Sequence, residues 1–498
     1  MYRHSEKQMK FVEFHLPFGG KLLANNRWVR LAGMIPWHEF EEQYCRNLTN
    51  DGKGPPALSV RMALAALIVK ERLGVTDEEC VEQIRENPYL QYFCGMKAFS
   101  TGRPFHPTML VHFRKRFPAD VLKIMNEVIV AKAAERTVKH EDHDDPKGSC
   151  GDPDNKGKLV LDATCVPADI TYPTDLKLLN TAREKSEEII DTLHKGMGRG
   201  HKKPRTYRNK ARKAYLAIAK SRRVSANKLR KARRAQLGYL LRNLKNIDVL
   251  SQSTSLSTLS GRQYRDLLVI SELYRQQQWM HDHRSLRIDD RIVSISQPHV
   301  RPIKRGKAGS DTEFGAKLSV SLVDGYAFVD RTSWDNFNEC LDLQNQVEAY
   351  KRRYGVYPAS VHADRIYRTR DNLRYCKEHQ IRLSGPRLGR PPKETPENAA
   401  ALRAEAIQAR QDELDRIPIE GKFGQGKRRF SIGRLMTKLA STSETAIALC
   451  FLVMNLEKWL TAIFLCLYFK EQKLRFQNNW NSCWLRSLYL KTALIPIS

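Results

Sequence analysis

The chain of 498 residues is long enough for two or three domains, and its 41% hydrophobic residues are sufficient for buried cores. It carries 85 Lys and Arg against 55 Asp and Glu, a formal net charge of +30, which indicates a polyanionic partner, most simply nucleic acid, with an anionic membrane surface as the competing explanation. The 10 cysteines form no CxxC pair, which argues against a disulfide scaffold, a zinc ribbon or a redox motif and favours a reducing cytosol.

Residues 1–139 are predicted to form an all-α domain. A helical pattern begins at Ser59 and ends at Gly74, and Thr76 and Glu79 form a capping-box pattern for a second helix that ends before Pro88. A helix, a tight glycine turn and a second helix are compatible with a helix-turn-helix unit, although paired helices are common in proteins of every function. Two further helices are predicted, over 108–117 and 119–139.

Residues 140–157 are polar and rich in Asp, Gly and Pro, which is typical of a linker. Their His and Asp residues could be taken for a metal site. Such clusters in loops are usually solvated, and we interpret this one in that way.

The next segment contains a short apolar strand, Leu159 to Asp162, that ends in a carboxylate. An unpaired buried carboxylate is costly, so the simplest interpretation is an Asp that points into solvent or caps the next segment. A second acid in the same kind of position, Asp364, follows a strand predicted over 360–363. The repetition of a strand-end Asp makes a shared function worth considering.

Between these acids lies a helical insertion, over about 183–284, with charges of one sign. From Lys195 to Lys245 there are 19 Lys or Arg and no Asp or Glu. Such a run repels itself, so it predicts contact with a phosphate backbone that is independent of sequence and sensitive to salt. The cations predicted to contact DNA are Lys202, Lys203, Arg205, Arg208, Lys210, Arg212, Lys213, Arg222, Arg223, Arg230, Arg233 and Arg234.

After the insertion the pattern predicts a mixed five-stranded sheet. Two strands, 317–323 and 326–332, flank a two-residue turn at Asp324-Gly325, and a helix, a strand, a helix, a strand and a helix over about 396–416 follow. With right-handed crossovers, the first and fourth strands can lie side by side, which would bring Asp162 and Asp364 together. Two such carboxylates suit Mg²⁺ or Mn²⁺, and a third acid would complete a pair of metal sites for phosphoryl transfer.

The third acid belongs to a recognisable pattern. Arg416, Glu420 and Lys427 have the spacing R-x3-E-x6-K. With the segments VLDAT, FGAKLSVSL, VHADRIYRTRDN and EGKFGQGKRRFSIGRL, this spacing resembles the transposases of the fourth and fifth insertion-sequence families, over roughly residues 14–465. In those families a Tyr precedes the Arg by three positions, whereas this chain has Glu413.

The resemblance implies an RNase H-like fold for residues 158–440 and a DNA-end-binding role for residues 1–139. It implies that Asp162, Asp364 and Glu420 bind two Mg²⁺ ions, for which Mn²⁺ can substitute, and act in catalysis. It also implies cleavage at the transposon ends and attack of the freed 3′-OH on target DNA. The residues implied to contact DNA phosphates are Arg416, Lys427, Arg428 and Arg429.

The expected partners are double-stranded DNA, as terminal inverted repeats and target, and a second copy of the chain in the DNA complex, in a prokaryotic cytoplasm at the nucleoid. No membrane is expected, because the apolar stretch 446–469 carries Glu457 and Lys458 near its middle and fits a buried or interfacial helix, within a C-terminal helix and tail over 441–498. The alternatives are an inactive, transposase-derived DNA-binding protein, a metal-dependent nuclease and, last, a membrane-surface protein.

Overall fold

A computed structural model of the chain describes residues 10–48, 56–141, 155–198, 200–307, 310–390 and 395–492. Helices form the majority of these residues. The α-helices are α1 (Arg27–Met34), α2 (Glu41–Arg46), α3 (Val60–Leu73), α4 (Asp77–Glu86), α5 (Pro88–Phe93), α6 (Met109–Arg116), α7 (Ala119–Glu141), α8 (Asp175–Gly196), α9 (Arg208–Ala219), α10 (Ala226–Ser253), α11 (Gly261–Asp282), α12 (Leu343–Tyr354), α13 (Arg370–Glu378), α14 (Ala399–Arg429) and α15 (Ala440–Thr492). The strands are β1 (Lys158–Pro167), β2 (Arg301–Lys307), β3 (Ser310–Val323), β4 (Tyr326–Ser333), β5 (Ser360–His362) and β6 (Arg382–Leu383).

The predicted pair of N-terminal helices is confirmed as α3 and α4. The Ser59 hydroxyl accepts the backbone N–H of Met62, which caps α3, and Gly74 ends that helix with φ of +66°. The Thr76 hydroxyl caps α4 by accepting the N–H of Glu79. These local signals are strong because each satisfies a backbone group that the first or last turn leaves unpaired.

The sheet places β1 beside β5, as predicted for the first and fourth strands. β1 pairs antiparallel with β3 from Val160 to Pro167 and parallel with β5 from Lys158 to Val160. β4 pairs antiparallel with β3, and β6 pairs parallel with β5, which gives the order β4-β3-β1-β5-β6. The turn between β3 and β4 has positive φ at both Asp324 and Gly325, as the two-residue hairpin requires.

One prediction about a strand is wrong, and one strand was not predicted. β1 has ten residues rather than four, because it stays paired with the long β3 as far as Pro167 and its residues after Asp162 are mostly buried. The sequence also does not predict β2, whose RPIKRGK segment lacks alternation of apolar and polar residues. β2 forms because it pairs with the first half of β3, with an irregularity between Lys304 and Lys307.

The sheet separates two cores. On one face, the N-terminal helices and α15 form a single core with residues such as Val160 and Val320. On the other face, Leu159 and Leu161 pack with α12 and with residues near α13. Alternation along β1 therefore turns even-numbered residues toward the face that carries the N-terminal helices.

The helices α8 to α11 follow β1 and form the predicted insertion. They bury their own apolar residues, including Leu179, Leu240 and Ile270, in a core separate from those of the sheet. The insertion is thus held together by packing, which leaves much of its basic surface exposed.

The apolar stretch near the C-terminus lies within α15. The segment Ala440–Phe469 is long and apolar enough to cross a membrane, but 67% of its apolar stretch of 18 residues is buried in the protein. Asn455 is fully buried and exchanges hydrogen bonds with the Ala327 backbone, and Glu457 forms an ion pair with Arg72 at 2.5 Å. This part of the helix is a core helix, as its two central charges predict.

Candidate active site

Asp162 lies in the middle of β1, not at its end as predicted, but it lies just beyond the paired part of β1 and β5. The parallel register aligns Val160 with His362, the last residue of β5. Two residues further along, the same register brings Asp162 level with Asp364. Asp162 lies on the even-numbered face of β1, and Asp364 lies just beyond the end of β5, at the start of a short 3-10 helix.

Helix α14 crosses this face and carries Glu420. It was predicted to end near Arg416, but it continues through Pro418 to Arg429. Pro418 removes one backbone N–H, whose helical partner would be the carbonyl of the exposed Leu414. The helix persists because Ile419 and Phe423 are buried in the core with the strands.

Gly421, Gly424 and Gly426 lie within this helix, where glycine is usually destabilising. Gly426 instead has a packing reason, because a Cβ atom there would lie 2.4 Å from the side chain of Ile432. Glycine permits the end of α14 to lie close to the following turn. The helical path up to Arg429 places Lys427 on nearly the same face as Glu420 and about 10 Å further along the axis.

Two of the three acids flank one guanidinium, and the third lies within reach of its charge. Arg416 Nη1 lies 3.3 Å from Asp364 Oδ1, and Arg416 Nη2 lies 3.4 Å from Glu420 Oε1. The charges of Arg416 and Glu420 also shift the pKa of Asp162 in opposite directions, so all three acids share one electrostatic environment. Residues distant in sequence thus form one cluster, which we call the acid site (Asp162, Asp364 and Glu420).

The acid site holds an excess of negative charge. Burial raises the pKa of Asp162 to about 6, the N–H of Ala163 opposes this by donating to Oδ1, and the charge of Glu339 raises the pKa further. Glu339 itself is paired with Lys317 at 2.9 Å. A half-buried carboxylate beside other acids favours divalent cations, which would neutralise the repulsion.

The donor atoms of the acid site suit hard divalent cations. Its donors are carboxylate oxygens, and the side chains of Asp364 and Glu420 are each 58% exposed, which leaves coordination positions for water or substrate. Mg²⁺ and Mn²⁺ match this donor set, whereas Zn²⁺ sites generally include His or Cys.

A second acidic group lies about one turn earlier on α14. His362, Asp412 and Asp415 have ligand atoms within 4.8 Å of one another, as in a metal site. Arg382, however, donates two hydrogen bonds of 2.8 Å to Asp412, and Lys158 binds Asp415 at 2.7 Å. Both carboxylates are already neutralised, so this group does not fit a metal ion.

These five residues instead fasten α14 to the sheet, and we call them the α14 clamp (Lys158, His362, Arg382, Asp412 and Asp415). Burial would raise the pKa of Asp412, but the hydrogen bonds from Arg382 and Gln408 outweigh it and lower that pKa. The hydrogen bond from Lys158 likewise lowers the pKa of Asp415. The clamp joins α14 to β1, β5 and β6 just before the turn that carries Arg416.

The other predicted phosphate contacts lie at the end of α14. Arg428 and Arg429 are exposed, and Lys427 is partly buried. Arg429 lies 3.7 Å from Glu457, so part of its charge is balanced within the chain. Of these cations, Lys427 continues the face of α14 that carries Glu420, whereas Arg429 lies on nearly the opposite side of the helix.

The structure divides the twelve predicted cations of the insertion into two groups. Three are engaged by acids of α8: Lys203 and Arg208 pair with Asp191, and Arg233 pairs with Asp175. The other nine form no ion pair with any residue that the structure describes, and eight of them are exposed, Arg230 being partly buried. These nine are Lys202, Arg205, Lys210, Arg212, Lys213, Arg222, Arg223, Arg230 and Arg234.

Sequence reasoning missed Glu339, Lys317 and the α14 clamp. Glu339 lies in a short 3-10 turn before α12, without a motif or spacing that marks it. The clamp residues come from three strands and one helix, so only the folded chain brings them together. The His and Asp cluster of the predicted linker falls largely in residues 142–154, outside the described residues.

Two family models match the chain. A model described as a transposase DDE domain matches residues 361–457, and a model described as a transposase domain matches residues 18–116. The first range contains Asp364, Arg416, Glu420 and Lys427, whereas Asp162 lies before it. Together the two matches indicate an insertion-sequence DDE transposase, which confirms the resemblance seen in the motifs.

A relative of unassigned function is also similar. An uncharacterized protein, ORF8 in the nfe locus of Rhizobium meliloti, is 30% identical over 151 residues, which are 30% of this chain and 66% of that protein. The chain thus spans slightly less than two thirds of this relative's length. No solved structure matches the chain.

Proposed function

We propose that the protein is a transposase that cleaves DNA at the ends of its element and joins the freed 3′-OH to target DNA. The observation that carries the proposal is that Arg416 joins Asp364 to Glu420, whose charge also acts on the partly buried Asp162. The antiparallel strands β1, β3 and β4 beside the parallel β5 and β6 support an RNase H-like catalytic domain over residues 158–440.

The acid site would hold two Mg²⁺ ions, which stabilise charge on the attacking and leaving oxygens of an in-line phosphoryl transfer. In the first reaction a water oxygen bonds to phosphorus at the transposon end, and the bond to the 3′ oxygen breaks to leave a 3′-OH. In the second, that 3′-OH oxygen bonds to a target phosphorus and displaces the target's own 3′ oxygen. Each reaction exchanges one P–O bond for another, so no protein nucleophile is required.

The residues around the acid site would bind and orient the DNA. Lys427, Arg428 and Arg416 lie along α14 where they could contact phosphates near the cleaved bond. The nine unpaired cations of the insertion would hold the backbone of double-stranded DNA without reading its sequence. Residues 1–139 would bind the terminal inverted repeats, and two ends held together would require a dimer in the DNA complex.

The variant Asp162→Asn tests the catalytic assignment. We expect Mg²⁺-dependent cleavage of end DNA to fall by about 10³-fold or more, because the variant loses one charge that holds the metals and stabilises the transition state. Binding of the same DNA should change little. The matched control is Asp371→Asn, an exposed Asp on α13 that pairs with Arg374. Full cleavage by Asp162→Asn would sink the assignment.

Pre-cut transposon ends test the joining step separately. A transposase joins their 3′-OH groups to a target plasmid when Mg²⁺ is added. Cleavage of intact ends without any joined product from pre-cut ends would leave a metal-dependent nuclease, and binding without either reaction would leave an inactive DNA-binding protein.

A further inference from the structure

Arg416 has two prospective partners of opposite kinds. In the structure its two Nη atoms lie within 3.4 Å of Asp364 and Glu420. The proposed function assigns the same guanidinium to a DNA phosphate. Its side chain is 29% exposed, so it lies at the boundary between the acid site and the surface that DNA would approach.

The acid site has few other internal partners. Asp364 Oδ1 also accepts the N–H of Arg365 at 2.6 Å, and Asp162 Oδ1 accepts the N–H of Ala163. Among the described residues, Arg416 is the only cation that forms an ion pair with any of the three acids. One cation, paired with two of the acids, therefore accompanies three carboxylates.

Geometry prevents Arg416 from serving both partners fully. A guanidinium is a rigid, planar fork, and here each of its two Nη atoms is directed at a different carboxylate. A divalent cation bound to Asp364 and Glu420 would bring positive charge next to that fork and repel it. The guanidinium would then be free to donate to a phosphate, which accepts two parallel hydrogen bonds.

We propose that Arg416 is an internal competitor for the metal ions, which occupies the acid site until metal displaces it and then binds a DNA phosphate. This inference rests on the proposed function, since it concerns the same site. It makes metal binding and DNA binding mutually favourable. Metal releases Arg416 from the acids so that it can bind a phosphate, and a phosphate draws Arg416 away from the acids so that they can bind metal. The chain would therefore bind metal weakly until DNA is present.

Mn²⁺ binding to the DNA-free protein tests the competition. The measurement is the electron paramagnetic resonance signal of free Mn²⁺ during titration of the full chain. We expect Arg416→Ala to bind Mn²⁺ about three- to tenfold more tightly, because it removes two partly exposed ion pairs of modest strength. Arg416→Gln should behave similarly, and Arg416→Lys should be intermediate. The matched control is Arg410→Ala, an exposed Arg of α14 without an ion pair to a described residue.

The outcomes separate this inference from the proposed function. If the wild type binds Mn²⁺ but Arg416→Ala and Arg416→Gln bind it no more tightly, Arg416 is not a competitor. Weaker binding by both variants would make Arg416 a scaffold for the acids and would also overturn the inference. If neither the wild type nor the variants bind Mn²⁺, or if Asp162→Asn binds it as tightly as the wild type, the proposed function itself fails.

A second titration tests the transfer of Arg416 to DNA. It adds a short duplex of the DNA that flanks the gene and measures how many-fold the Mn²⁺ affinity rises. We expect the rise to be several-fold larger in the wild type than in Arg416→Ala, whose acid site lacks the competitor before DNA arrives. An equal rise in both proteins would show that DNA does not draw Arg416 away from the acids.

Discussion

Helix α14 contributes to two groups of acids, Asp412 and Asp415 to one and Glu420 to the other, and the groups differ in how their charge is balanced. In the α14 clamp, Asp412 is 8% exposed and paired with Arg382, and Asp415 is paired with Lys158. In the acid site, the largely exposed Asp364 and Glu420 share Arg416, and Asp162 forms no ion pair with a described cation. The first group is neutral overall, and the second keeps a negative excess.

The difference shows that proximity of acids does not by itself define a metal site. The clamp satisfies a distance test for metal ligands, yet its carboxylates already have cationic partners. The acid site has no His ligand, yet its charge balance leaves room for divalent cations. Pairing within the chain therefore separates acids that position a helix from acids that can bind a metal.

The largest effect on stability is expected from breaking the clamp. Arg382→Gln leaves the buried carboxylate of Asp412 without its bidentate partner, and we expect the free energy of unfolding to fall by about 2–3 kcal/mol, less than for a fully buried pair because Arg382 is 43% exposed. Asp364→Asn, in the acid site, should change it by less than about 0.5 kcal/mol. Urea unfolding monitored by circular dichroism measures both.

Arg387→Gln is the control for loss of an Arg–carboxylate pair. Its partner is Glu405, and Arg387 is 77% exposed, so the expected change is within about 0.5 kcal/mol. Equal losses for Arg382→Gln and Asp364→Asn would abolish the distinction between the two groups of acids.

Local signals in the sequence predicted much of the fold. Ser59, Gly74 and Thr76 mark helix ends because they satisfy or reverse the backbone within a few residues, and the Asp324-Gly325 turn fixes the β3–β4 hairpin in the same local way. The length of β1 was not predictable, since it depends on pairing with β3, more than 100 residues later in the chain.

In the site, too, the residues marked by local sequence patterns were predicted, and those brought together only by folding were not. The spacing of Arg416, Glu420 and Lys427 is local and led to the family, and the two family matches support that step. Glu339 and the clamp residue Arg382 carry no spacing signal, because their partners come from other strands and helices. Charge balance at the site could be judged only after folding had brought these residues together.

The cations of the insertion also divide into those that form ion pairs with acids of α8 and those that form no ion pair with a described residue. We expect a triple change of Lys210, Arg212 and Lys213 to Gln to reduce the slope of log K against log salt for duplex DNA by about 2–3 and to weaken binding about tenfold or more at moderate salt. These side chains are exposed on α9, whereas Arg208 on the same helix is tied to Asp191. Filter binding over a range of NaCl concentrations measures the slope.

A matched triple variant carries Gln at Arg352, Arg374 and Lys377. These residues are exposed on α12 and α13, which pack on the face of the sheet opposite α14. It removes the same charge from the chain but should leave the slope nearly unchanged. If both triple variants flatten the slope equally, net charge rather than the insertion governs DNA binding.

The smallest effect is expected at Glu71, a buried acid that has hydrogen bonds but no ion pair with a described residue. Glu71 lies on α3 and accepts the N–H and hydroxyl of Ser431, just after α14 ends. Burial raises its pKa above the usual 4.5, so the folded state favours the protonated form. Its contribution to stability is therefore complete at pH below about 4.5 and is lost as pH rises through the higher folded pKa.

Glu71→Gln stays neutral at every pH and keeps an acceptor for the Ser431 N–H. We expect the wild type to lose stability relative to this variant as the pH rises from 4.5 to neutrality, because burial opposes ionisation of the wild-type carboxyl group. Urea unfolding at several pH values measures the difference, and Glu78→Gln, at an exposed site on α4, should show no such trend. If the stability of the wild type instead rose relative to Glu71→Gln with rising pH, the hydrogen bonds from Ser431 would stabilise the charged Glu71 as effectively as the cations of the clamp stabilise Asp412 and Asp415.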